Sequence, residues 1–338
     1  MITALLLNDT RIDNHHGCTT VIETIDRLCA ANGVEVVARV PAHADWRQDA
    51  AALEAFRQVD LVLVNGEGTI HHDRPAGRLL LEAGAHAAGL GKPAVLLNAT
   101  WQANSAEALD LLRSFSIVSV RESASEAELV GHGFSPRRIP DLALFHEPQM
   151  AVRREGVRYC DSVQGGKAMA LYRRMWKLGA DPLPITRLDY HPMIVLRWLR
   201  RWSPRKTALL NPVHLALALR ATWQDYTRQV AGRDDLTTRV AASELIVTGR
   251  FHMMIFALAA STPLLALASN THKIGATMRD AGLEDWRQVD DIAAIDAALL
   301  EKASRWHGDE EARLRAFLEE GCSAMRTLFA DVAQLAGQ

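Results

Sequence analysis

Short apolar runs, Ile2–Leu7, Val34–Val40, Leu61–Asn65, Ala94–Asn98 and Ile117–Val120, alternate with stretches of helical spacing such as Thr20–Ala31 and Ala76–Gly89. A strand buried on both faces reads as a continuous apolar run, and strands that alternate with helices are joined by crossovers. The pattern predicts a mostly parallel sheet covered on both faces, a Rossmann-like domain over residues 1–145.

Residues Gly133–Pro148 carry three prolines and break the helical pattern, which marks them as a connection. Beyond it, Val157–Cys160 and Leu183–Thr186 read as strands around a helix over Ser162–Leu178, followed by helices as far as Ala242. Strands at Leu245–Thr248, Leu264–Ala268 and Trp286–Val289 come next, then helices over Ile292–Ser304 and Asp309–Leu335. The expectation is an α/β chain with a second Rossmann-like domain, 146–338, closed by C-terminal helices.

Composition excludes several function classes. A 338-residue chain that is 49% hydrophobic can bury two cores, and a net charge of -2 lacks the basic excess of a nucleic-acid binder. Its four cysteines show no C-x-x-C spacing, so neither a disulfide framework nor a zinc site is expected, and a reducing cytoplasm fits. The pairs His15-His16 and His71-His72 lie in loops where neighbouring side chains diverge, and no metal is expected. Met1–Leu7 is too short for a signal segment and reads as the first strand. The apolar stretch Phe251–Ser269 is divided by His252 and by Ser261-Thr262-Pro263, so no membrane span is expected.

The candidate site centres on Glu244–Gly275. Here a strand ends at Gly249 and a helix opens with Arg250-Phe251-His252; the next strand ends in the turn Ser269-Asn270-Thr271-His272-Lys273. If the two strands are parallel neighbours, Arg250, His252 and Lys273 converge with free helix N–H groups on a pocket for a small, highly charged anion. In the first domain the corresponding loops hold Asn14, then Gly66-Glu67-Gly68-Thr69, Asn98-Ala99-Thr100-Trp101 and Arg121-Glu122-Ser123. Each is placed for ligand binding, though any one could equally cap the following helix. The segment Arg197–Lys206, basic and interleaved with Trp198 and Trp202, suits an anionic membrane surface, a charged glycan or a plain solvated helix face.

Six motifs in order, the Asn14 loop, Gly66–Thr69, Val118–Ser125, Ile139–Leu144, Thr248–Met254 and Ser269–Gly275, give the chain a resemblance to the polysaccharide pyruvyl transferase family. The resemblance implies two Rossmann-like domains facing a cleft, as in GT-B glycosyltransferases. It also implies transfer of a pyruvyl group from phosphoenolpyruvate to two hydroxyls of a sugar, forming a cyclic ketal and releasing phosphate. Arg121, Arg250, His252 and Lys273 then occupy donor-binding and catalytic positions, with Asn270 in the same turn, while Asn14, Glu67, Thr69 and Asn98 face the acceptor. The acceptor would be a sugar or a lipid-linked glycan, with no cofactor beyond the donor substrate. The location would be cytoplasmic, with peripheral contact at the inner membrane face. Departures from the family pattern, at Asn14-His15-His16-Gly17, Glu67 and Asn98–Trp101, fall on the acceptor side.

Chemistry leads to the same residues. A donor with a carboxylate and a phosphate needs several cations around a small volume, which Arg250, Arg121 and Lys273 supply. Ketal formation needs an early proton donor; His252 is the candidate, with a phosphate hydrogen bond as its alternative role. Asp141 and Glu67 are the candidate bases, and Asp141 equally suits a helix cap. Two other functions fit the same anion pocket: a GT-B sugar-nucleotide glycosyltransferase, and a non-catalytic anion-binding assembly factor.

Overall fold

The computed structural model describes residues 1–145, 153–187 and 211–337. Contacts divide them into two units: Met1–Asp13, Cys18–Phe145 and Glu319–Gln338 form the first, Asn14–Gly17 and His146–Leu318 the second. The sequence reading kept everything after residue 145 together. Contacts instead group the C-terminal stretch with the first unit, where Gly321 packs on Pro140 and Asp331 pairs with Arg137 at 2.5 Å.

In the first unit β1 (Ile2–Asp9), α1 (His16–Ala31), β2 (Val34–Pro41), α2 (Ala50–Gln58), β3 (Leu61–Asn65), α3 (Pro75–Gly89), β4 (Ala94–Ala99), α4 (Ala106–Leu112), β5 (Ile117–Val120) and α5 (Ser123–Gly131) alternate as the apolar runs predict. A two-residue strand, β6 (Arg137–Arg138), completes a parallel sheet ordered β2-β1-β3-β4-β5-β6. The stretch read as a pure connection therefore supplies an edge strand. Its prolines explain the brevity, since a proline donates nothing to a ladder. The core beneath is built from strand residues such as Leu5, Val62, Leu96 and Val120 with Phe56, Leu81 and Trp101.

The second unit repeats the plan. β7 (Val157–Ser162), α6 (Gly165–Lys177), β8 (Asp181–Pro182), α7 (Pro212–Arg228), α8 (Arg233–Ala241), β9 (Leu245–Gly249), α9 (Phe251–Ala259), β10 (Leu264–Leu267), α10 (Lys273–Asp280) and β11 (Gln288–Val289) form a parallel sheet ordered β11-β10-β9-β7-β8 with its helices. Helices α11 (Ala297–Ala303) and α12 (Glu310–Ala336) follow. The strand read at Leu183–Thr186 is displaced to β8: Leu183 N–H still bonds Tyr159 O at 2.8 Å, and Thr186 makes an isolated antiparallel bridge to His15. Arg197–Lys206 lies outside the described residues. No helix among the described residues is long and apolar enough to cross a membrane.

Both sheets reverse direction of growth beside their first strand, at β1/β3 and at β7/β9. Helices leaving the two strands go to opposite faces there, opening a crevice beyond the carboxyl ends.

Candidate active site

At the β7/β9 crevice the two strand ends nearly touch. A methyl added to Gly249 would lie 2.6 Å from Ser162 Cβ, so only glycine fits between this strand end and α9. Arg250 follows in extended conformation as the N-cap of α9, with its N–H on Thr248 Oγ1 at 2.9 Å. Its guanidinium reaches across to Asp161, Nε to Oδ1 at 2.8 Å and a terminal nitrogen to Oδ2 at 3.1 Å. With side chains 16% and 4% exposed, this two-point pairing fixes the guanidinium plane over the crevice.

His252 follows on the first turn of α9 and is buried. Its ring lies against His15, which reaches it because Asn14–Gly17 is pinned within the second unit. Arg187 N–H bonds Asn14 O at 2.9 Å, His16 N–H bonds Ile185 O at 3.1 Å, and the His16 ring meets Val230 O at 3.1 Å. Burial pushes the His16 imidazole pKa down, leaving it a neutral tether. Lys273 opens α10 with its ammonium 5.6 Å from the centre of the Phe251 ring, and Lys167 Nζ donates to Ala268 O at 2.9 Å. Asn270 is exposed, its Oδ1 accepting from Ser269 Oγ.

At the β1/β3 crevice, Glu67 Oε1 accepts from Thr10 Oγ1 at 2.7 Å and Asn65 Nδ2 at 3.1 Å, while Oε2 lies 3.6 Å from Cys18 Sγ. Burial first, then the nearby Glu67 charge, push the Cys18 thiol pKa far up, so it stays protonated. Asn8, Glu67 and Asn98 all take positive φ, at 63°, 40° and 58°. Such backbone costs about 1–3 kcal/mol per residue and gathers at ligand-binding ends of sheets. Gly66 is required because a Cβ there would meet Ala99 Cβ at 2.7 Å. Thr69 N–H bonds Gly66 O, closing the turn. Beside it, Asn98 Oδ1 accepts from Leu142 N–H at 3.2 Å. Arg121 donates to Thr100 Oγ1 at 2.8 Å and to Asp141 Oδ2 at 2.7 Å, in a pair with side chains 1% and 0% exposed. Asp141 also caps its own turn, accepting from Ala143 N–H.

The candidate residues thus fall into two groups. Arg250, His252, Asn270, Lys273 and, against expectation, Asn14 belong to the second unit; Arg121, Asp141, Glu67, Thr69 and Asn98 belong to the first. Asp161 and Lys167 escaped sequence reading, which marks His15 only as part of a histidine pair in the first loop and not as a neighbour of His252. Asp161-Ser162 ends a strand just ahead of Gly165-Gly166, a signal of the same kind as the strand-end turns that were read.

A sequence model for polysaccharide pyruvyl transferases matches residues 21–271, well over half of the 338. The chain belongs to the polysaccharide pyruvyl transferase family. This transferase family implies a sugar or glycan acceptor, and the matched span includes Arg121, Arg250 and His252 but stops short of Asn14–Gly17 and Lys273. No protein of curated function matches the chain. Among solved structures, the UDP-GlcNAc 2-epimerase of Methanocaldococcus jannaschii is similar at TM-score 0.55 and 13% identity, over 94% of this chain and 98% of that one. The Neisseria meningitidis UDP-GlcNAc 2-epimerase reaches 0.49 at 10% identity over 99% and 98%. The E. coli ADP-heptose heptosyltransferase II reaches 0.37 at 14% over 94% and 99%. At these identities likeness bears on fold alone, and that to the Methanocaldococcus jannaschii enzyme agrees with two parallel-sheet α/β units for this pyruvyl transferase family member.

Proposed function

We propose that this chain transfers the pyruvyl group of phosphoenolpyruvate to two hydroxyls of one sugar in a surface polysaccharide or its precursor. The observation that carries the reading is the β7/β9 crevice. Arg250, locked by Asp161, and His252 open one helix there, and Lys273 opens the helix after the neighbouring strand. Two cations and the N–H groups of α9 suit a ligand bearing both phosphate and carboxylate.

In the proposed reaction His252 protonates the methylene carbon, and one sugar hydroxyl adds to the neighbouring carbon. Phosphate leaves with its C–O electron pair, and the second hydroxyl closes the ketal. The two hydroxyls lose two protons; the new methyl group keeps one and phosphate the other. Arg250, His252 and Lys273, with Arg121 and Asn270, are the proposed donor contacts, and Asn14, Glu67, Thr69 and Asn98 the proposed acceptor contacts. For the base, Glu67 and Asp141 are the proposed carboxylates. Both already accept hydrogen bonds, so substrate must displace or share a partner: Thr10 or Asn65 for Glu67, Arg121 for Asp141.

Phosphate release from phosphoenolpyruvate, measured with glycan fractions as acceptors, tests the reading. Turnover of a sugar nucleotide instead, or stabilisation by phosphoenolpyruvate no greater than by pyruvate in a melting experiment, overturns it.

A further inference from the structure

Helix α7 is apolar on the side where a surface helix should be polar. Its inner face places Ala218, Ala221, Thr222 and Asp225 in the interior, the two alanines beside Leu171, Tyr172 and Met175 of the core. The opposite face should then carry charges. Instead Val213, Ala216, Leu219 and Trp223, spaced at helical intervals, point outward, with Val213 67%, Leu219 47% and Trp223 64% exposed. Trp176 of α6, 44% exposed, extends the patch: Arg220 of α7 lies over its ring at 4.1 Å.

Charge decides what such a patch can meet. The exposed charges of the two helices, Arg173, Lys177, Arg220 and Arg228, are all basic; Lys167 and Arg174 turn inward onto Ala268 O and Ile295 O, and the one acidic residue, Asp225, is buried. Nearby Asp181 pairs loosely with Arg228 at 3.6 Å. A protein partner with a matching apolar face gains little from a rim of one sign. A membrane leaflet with anionic headgroups matches both features, because tryptophan and leucine settle at the headgroup boundary while arginine and lysine reach lipid phosphates.

We infer that α7, with Trp176 and the basic end of α6, is a docking surface for an anionic lipid bilayer. Leu219 and Trp223 enter the interface, and Arg220 and Arg173 lie at headgroup level. This assignment stands on different residues from the donor reading, and the two can fail separately.

The test is sedimentation of the full chain with vesicles of phosphatidylglycerol and phosphatidylcholine, against vesicles of phosphatidylcholine alone. Binding is expected only with the anionic lipid, weakening with added salt. The exposed double variant Leu219→Ser, Trp223→Ser should reduce partitioning by about tenfold or more, with circular dichroism and melting unchanged. Absence of binding to anionic vesicles overturns the proposal, as does equal binding by the variant. A wild-type dimer that the same substitutions dissolve overturns it in favour of a second copy of the chain.

Discussion

The rings of His15 and His252 lie 5.3 Å apart, tilted by 59°, and a Cβ on Gly17 would fall 2.2 Å from His252 Cγ. Gly17 N–H donates to His15 Nδ1 at 3.1 Å, so in its neutral form His15 carries its proton on Nε2. The loop therefore fixes one imidazole and limits the space of the other. The two imidazoles share one confined volume, so a change in either ring is felt by the other.

Gly17→Ala should drive a methyl into the His252 ring. We expect a stability loss of about 1–3 kcal/mol, as for overpacking elsewhere, and a disproportionate fall in turnover. Urea denaturation and phosphate-release kinetics on one preparation measure the two effects. Turnover that merely tracks the folded fraction would remove the loop from the site.

His15→Gln keeps polar reach but removes the ring that lies against His252. Because His15 lies against His252, the expected result is a fall in turnover with little change in phosphoenolpyruvate affinity. Unaltered turnover would reduce His15 to a packing residue.

Arg250→Ala should weaken phosphoenolpyruvate binding by about 1.5–3 kcal/mol, the range of a charge-assisted contact. His252→Gln should instead cut turnover by about a hundredfold or more while calorimetric affinity holds. Parallel loss of both quantities in His252→Gln would make the imidazole a phosphate ligand. Asp161→Asn, which frees the guanidinium plane, is expected to raise KM less than it lowers turnover.

Stability at low pH should depend on Glu310. Burial pushes its carboxyl pKa up, but bonds from Arg287 and from the N–H groups of Glu284 and His307 outweigh it, leaving a value below the ordinary 4.5. Because the folded value is depressed, this stabilisation is present above about pH 4.5 and is lost as pH falls through the folded value. Arg287 also bonds Leu264 O at 3.1 Å and Ala303 O at 3.0 Å, so it joins β10 to the helices that follow. Glu310→Ala strands a buried guanidinium and should cost about 3–5 kcal/mol at neutral pH in urea denaturation, with a smaller difference in acid.

The α/β class, most strand positions and the cationic turns were legible in the sequence. Continuous apolar runs can only be buried strands when helices separate them, and Arg250, His252 and Lys273 follow two such runs directly. Strand order was not legible. It depends on which strands meet across a sheet, and that order places the crevices at β1/β3 and β7/β9 and brings Asp161, 89 positions earlier, onto Arg250. The unit to which Asn14–Gly17 belongs was likewise settled by tertiary contact, through hydrogen bonds to Ile185 and Arg187 that no local pattern encodes. Local sequence specifies periodicity and turn chemistry, whereas partners distant along the chain are chosen by packing, and at this site packing sets the pairing of Arg250 and the neighbour of His252.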